Sequence, residues 1–146
     1  MRINEVLKGK ASPGGEAVVT IAPDATVRDL VTLLAEHNVG ALIVSTDGSS
    51  VEGIVSERDV VRRLRSDEGL LEVPVSAIMT AQVRSCEPNA TVDSLMAMMT
   101  EHRIRHVPVV SEGRLTGIIS IGDVVKSRMA ELEFERDQLD SYVHQT

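Results

Sequence analysis

Short apolar runs alternate along this chain with stretches whose apolar residues recur every three or four positions, and the whole alternation occurs twice. Residues 18–21 form a short run closed by Pro23, which predicts a strand. Thr26 then precedes Val27, Leu30, Val31, Leu33 and Leu34, spaced to line one face of a helix. Thr26 with Asp29 three positions on has the form of a capping box. Gly40 is expected to break that helix, and the apolar stretch 41–44 predicts a buried strand. Asp47-Gly48 signals a turn, 51–55 the returning strand of a hairpin, and 56–65 a second helix.

The second occurrence is close in sequence as well as in pattern. Residues 18–48 return at 83–113 with ten of 31 positions identical, and GIVSERDVVRR at 53–63 returns as GIISIGDVVKS at 117–127 with six of eleven identical. Upstream, INEVLK at 3–8 matches VSAIMT at 75–80, so each repeat is expected to open with a short helix. The first copy then carries a surplus, GKASPGGEA at 9–17, whose composition predicts a flexible loop. The division that follows is repeat 1 at 1–65, a linker at 66–74, repeat 2 at 75–128 and a C-terminal helix at 129–146. Each unit reads as strand–helix–strand–strand–helix, an α/β (α+β) architecture with pseudo-twofold symmetry. A unit of roughly 60 residues is marginal alone, so the repeats are expected to fold against each other. Near the end, Val125, Met129, Leu132, Leu139 and Val143 form a helical stripe interrupted by Arg136, suited to packing on the domain or on a second copy.

Composition narrows the function. A net charge of −7 disfavours nonspecific binding to nucleic acid or an anionic membrane. With one Phe, one Tyr and no Trp, the core is aliphatic and bases find no aromatic platform. No apolar run reaches membrane-spanning length and no secretory leader is visible, so a cytoplasmic protein is expected. The single cysteine, Cys86, allows no internal disulfide and reads as a small buried thiol.

Two features carry candidate chemistry. The doubled G-I-[VI]-S-x-x-D at 53–59 and 117–123 places a hydroxyl and a carboxylate at the start of a helix that follows a strand. Ser56 with Asp59 and Ser120 with Asp123 are capping boxes in their own right. The same helix N-termini favour phosphate, and an Asp there can accept from ribose hydroxyls. The second feature is His102-Arg103-Ile104-Arg105-His106, basic where repeat 1 has the nearly uncharged His37-Asn38-Val39-Gly40-Ala41. Helix-end cations explain His102 and Arg103. Arg105 and His106, entering an apolar strand, read as an anion site. A helix end between His102 and His106 argues against a metal site. No nucleophile elbow, P-loop or dinucleotide fingerprint is present, so no catalytic residue is assigned and the chain is not expected to be an enzyme.

The tandem repeat with paired G-h-S-x-x-D motifs and the Val107-Pro108-Val109-Val110 strand resembles the CBS (cystathionine beta-synthase) domain, two copies of which make a Bateman module. The resemblance covers residues 1–128 and looks like a stand-alone CBS pair without an attached enzyme or transporter. It implies a regulatory, energy-sensing module that needs no cofactor. Its ligand would be an adenine nucleotide (AMP, ADP or ATP), or NAD(H) or S-adenosylmethionine. Carried over, one cleft would use Ile54, Ser56, Arg58 and Asp59 with Ile104, Arg105 and His106. The other would use Ile118, Ser120, Gly122 and Asp123 with Val39, Gly40, Ala17 and Val19. The resemblance also implies a disc-like homodimer. The alternative is a regulator that binds a target protein, thioredoxin among the proposed ones, with structural or degenerate clefts.

Overall fold

Several helices begin where the sequence supplies caps, and two end where the backbone turns left-handed. The computed structural model describes residues 1–10 and 18–144. In order, these form α1 (Ile3–Lys10), β1 (Thr20–Ile21), α2 (Val27–His37), β2 (Ala41–Val44), β3 (Gly53–Ser56), α3 (Glu57–Leu64), α4 (Val92–His102), β4 (His106–Ser111), β5 (Arg114–Ser120) and α5 (Ile121–His144). Single 3-10 turns lie at Leu70–Glu72 and Val75–Ala77. The Thr26 box forms as expected: Thr26 Oγ1 accepts from Asp29 N–H, and Asp29 Oδ2 accepts from Thr26 N–H, each at 3.2 Å. Gly40 is not what stops α2. The left-handed residue is Asn38 (φ 51°), and Arg103 (φ 54°) holds the same position after α4. Asn tolerates that conformation through its short polar side chain; Arg does not, and carries a local cost there.

β1 runs parallel to β2, which pairs antiparallel with β3; β4 and β5 form a separate antiparallel hairpin. The first strand expected in repeat 2 shrinks to one bridge, Cys86 to Val109. Half-buried Val19 holds β1 against its core, whereas Arg84 and Ser85 are exposed and have no apolar surface to hold them. The hairpin turns differ too. Glu112 (φ 51°) and Gly113 (φ 77°) make a two-residue turn of the mirror-image kind that matches strand twist. Repeat 1 uses a longer loop, organised by Asp47 Oδ1, which accepts from the N–H groups of Ser50 and Ser49 at 2.8 Å each. Those bonds, Ser50 first, hold the Asp47 carboxyl well below the usual carboxylate range.

The two repeats exchange their opening segments. Ile3 and Val6 of α1 pack in the second core with Cys86, Val92, Leu95, Met99, Val107, Val109, Ile119 and Val124. Leu70, Val75 and Ile78 pack in the first with Ile21, Val27, Leu30, Leu42, Val44, Val55 and Val60. The backbone bonds that seat them are equivalent. Ile3 N–H donates to Ala90 O (2.9 Å) as Val75 N–H does to Ala25 O (2.8 Å), and Asn4 N–H to Pro88 O as Ser76 N–H to Pro23 O (both 3.0 Å). The 66–74 segment is thus structural, with Leu70 almost fully buried. The second opening segment is only a 3-10 turn rather than a helix. Thr80 exchanges backbone hydrogen bonds with Ile54 (2.9 and 3.0 Å), which keeps the chain extended there. The surplus loop is partly helix, since α1 runs through Gly9 and Lys10, and the rest of that expectation lies outside the described residues.

The motif glycines are explained by the exchange. A Cβ on Gly53 would sit 2.5 Å from Met79 Sδ and 3.0 Å from Thr80 O; one on Gly117 would sit 2.6 Å from Leu7 Cδ2. Met79 and Leu7 are the matching residues of the two opening segments. α5 continues without a break from the second helix of repeat 2 and packs on α1, α4 and β5 through the face that carries Val124. Its other face, the stripe, is exposed. No helix among the described residues is long and apolar enough to cross a membrane.

Candidate functional site

Strand alternation separates each motif into two faces. Val55 and Ile119 point into their cores, while Ile54 with Ser56 and Ile118 with Ser120 share the opposite, half-buried face. Opposite Ile54 and Ser56 on β2 stand Ile43 and Ala41; opposite Ile118 and Ser120 on β4 stand Pro108 and His106. Ile43 is fully buried yet belongs to neither core. Two contacts join the second sheet to the first repeat. Leu115 N–H donates to Ser49 O (2.7 Å), and the His106 ring lies against Gly40.

Both Ser-x-x-Asp motifs close as capping boxes. Ser56 N–H donates to Asp59 Oδ2 at 2.8 Å and Ser56 Oγ to the same oxygen at 3.1 Å, while Ser56 Oγ accepts from Asp59 N–H at 3.4 Å. In the second motif Ser120 N–H donates to Asp123 Oδ2 at 2.9 Å and Asp123 N–H to Ser120 Oγ at 3.2 Å. Capping therefore occupies Oδ2 in both and does not itself engage Oδ1. The junctions that precede β2 and β4 fold back on these helix starts by one shared bond. Glu57 N–H donates to Gly40 O (3.0 Å), and Ile121 N–H donates to Arg105 O (2.8 Å).

The expected residues come together in part. The point where a Gly40 Cβ would sit is 3.5 Å from His106 Cε1, 3.6 Å from His106 Nε2 and 3.5 Å from Glu57 Oε1. His106 thus pairs with Ser120 of the second motif in the strand ladder, while its ring lies against Gly40 of the first repeat. Gly40 and His106, assigned to different clefts, are neighbours. Arg58, Arg105, Gly122 and Val39 lie on the surface, and a Cβ on Gly122 would come no nearer than 3.6 Å to Ser120 Oγ. Ile104 and Val19 are half-buried and pack on the second and first cores respectively, which engages them in structure. Ala17 lies outside the described residues. Glu57 was missed. Its signal was the unlike residue at its repeat position, Ile121, next to a second unlike pair, Arg58 and Gly122, inside a repeated motif.

His102 closes α4 and His106 opens β4, with the left-handed Arg103 between them, so the two imidazoles do not share a helix face. Among the described residues no group of three or more His, Cys, Asp or Glu side chains is gathered to hold a metal ion.

Comparison with known proteins agrees with the doubled fold. The CBS domain family profile matches residues 16–66 and 75–130. The CBS domain-containing protein CBSX3, mitochondrial, of Arabidopsis thaliana is 34% identical over 97% of this chain and 71% of its own length. The crystal structure of the CBS-domain containing protein ATU1752 from Agrobacterium tumefaciens superposes with a TM-score of 0.80 at 42% identity, covering 88% of this chain and 99% of that one. CBS domain protein PAE2072 from Pyrobaculum aerophilum, complexed with AMP, superposes with a TM-score of 0.74 at 30% identity, covering 93% and 99%.

Proposed function

The chain belongs to the CBS-domain family, and from that premise we propose that it is a regulatory module, not an enzyme, that binds an adenosine nucleotide between its repeats. The observation that carries this is the pair of Ser-x-x-Asp helix starts, one in each repeat, with the ring of His106, the ladder partner of Ser120, lying against Gly40, whose carbonyl accepts from the first helix at Glu57 N–H. A ligand held there would touch both repeats at once and shift their packing by its differential affinity for the two arrangements. The AMP complex of the 30% identical PAE2072 supports the ligand class. Asp59 and Asp123 would hold ribose hydroxyls, and the helix N-termini with Arg58, Arg105 and His106 would face phosphate. ATP and ADP would gain more than AMP at the basic junction, with Glu57 limiting that gain.

Calorimetric titration of AMP, ATP and NADH tests the reading. Binding in the micromolar range is expected, weakened about tenfold or more by Asp59→Ala or Asp123→Ala. No binding by any of the three would overturn it. Assembly as a homodimer is part of the same reading, supported by the exposed apolar length of α5. That length also suits the rival reading, a regulator of a target protein. A pull-down insensitive to nucleotide and to Asp59→Ala would favour the rival.

A further inference from the structure

We propose that the two motif helices sort adenosine ligands by charge: the start of α5 takes a polyphosphate chain, and the start of α3, through Glu57, takes a ligand with one phosphate or none. The inference rests on the nucleotide reading above and divides its ligands between the two repeats. The two starts share their backbone. Glu57 N–H donates to Gly40 O (3.0 Å) and Ile121 N–H to Arg105 O (2.8 Å). Asp59 N–H and Asp123 N–H donate to the Oγ atoms of Ser56 (3.4 Å) and Ser120 (3.2 Å). None of these bonds engages the N–H of the second helical residue, Arg58 or Gly122, which is the group a ligand phosphate would meet.

The side chains set on that shared backbone are opposite in charge. At the start of α3 the Glu57 carboxylate turns towards the junction, its Oε1 3.5 Å from the point where a Gly40 Cβ would sit. No ion pair neutralises it among the described residues. Arg58 follows about 100° further round the helix and does not cover it. The Ser56 box is closed by Asp59 alone, so Glu57 is not needed as a cap. At the start of α5 Ile121 stands in place of the carboxylate, Gly122 carries no side chain, and exposed Arg105 stands in place of Gly40. His106 touches both sides, as ladder partner of Ser120 and with its ring against Gly40, and does not distinguish them. A triphosphate carries more charge than a monophosphate, so a fixed carboxylate repels it more and a fixed guanidinium holds it more firmly.

Calorimetry with ATP, adenosine and the cationic 5′-amino-5′-deoxyadenosine tests the sorting one start at a time. Asp123→Ala weakens the second site, so that titration reports the first, and Asp59→Ala does the converse. In the Asp123→Ala chain, Glu57→Gln is expected to raise the affinity for ATP relative to adenosine about tenfold and to lower that for the amine relative to adenosine. In the Asp59→Ala chain, Glu57→Gln should leave the ATP-to-adenosine ratio within about twofold, whereas Ile121→Glu should lower it about tenfold. Opposite shifts for an anion and a cation report charge, which a merely structural role for Glu57 would not produce. An equal change in both chains, or none in either, would sink the sorting and leave the nucleotide reading standing. Binding of neither ATP nor adenosine by the unaltered protein would sink both.

Discussion

The junction before β2 and the junction before β4 are the same backbone with different chemistry. In each, the carbonyl of the last loop residue accepts from the first N–H of the helix after the motif, Gly40 from Glu57 and Arg105 from Ile121. In each, the residue that opens the strand pairs with the motif serine, Ala41 with Ser56 and His106 with Ser120. Every one of those contacts is made by main chain, so the side chains were left free to diverge. They did so in opposite senses: repeat 1 has glycine and alanine beside a glutamate, repeat 2 has arginine and histidine beside an isoleucine. A duplicated scaffold built on sequence-independent bonds can hold two unlike sites without changing its fold.

The comparison breaks most readily where the exchanged segments press on the motif glycines. Gly53→Ala meets both Met79 and the fixed Thr80 carbonyl, whereas Gly117→Ala meets only the movable end of Leu7. Gly53→Ala is expected to cost about 3 kcal/mol and Gly117→Ala about 1 kcal/mol in urea denaturation. Equal costs would mean that the two segments are held equally loosely. The basic junction comes next. Arg105→Gly, which gives repeat 2 the residue of repeat 1, should weaken ATP several-fold (about 1 kcal/mol) while leaving adenosine unchanged by calorimetry.

Smaller effects sharpen the picture. The helix stop at Arg103 is strained where Asn38 is not, so Arg103→Gly should stabilise by about 0.5–1 kcal/mol in thermal unfolding, and Asn38→Gly by much less. The last difference lies between Ile21 and Cys86, which hold one position in the two first strands. Burial pushes the Cys86 thiol from 9.0 up to about 11. The folded state then keeps a proton that the unfolded state loses, so stability should fall as pH rises from about 9 towards 11. Cys86→Val should flatten that part of the curve, measured by denaturation at pH 8 and 10.5.

Periodicity made the helices and hairpins legible in the sequence because each is decided by neighbours: caps at Thr26 and Ser56, alternation at Ile54-Val55-Ser56. The doubled motif pointed to paired sites for the same reason. What stayed illegible was decided at long range. Nothing local tells that Ile3 and Val6 serve the core of residues 86–124, or that Leu70 serves the other. Asn38 outranks Gly40 as a helix stop only because the φ above zero falls there, one residue past His37. Glu57 and His106 come together only through Gly40, which both side chains approach and which lies 66 positions before His106.

The exchanged opening segments have a consequence for how such a chain can exist at all. A lone repeat lacks the piece that closes its core and must borrow it from another molecule, so two separate repeats would assemble by a second-order reaction that dilution reverses. Joining them through residues 66–74 turns that borrowing into a unimolecular event at an effective concentration in the millimolar range or above. Folding of either half then becomes independent of how much protein the cell makes. A cut within the linker would restore the concentration dependence that the duplication removed.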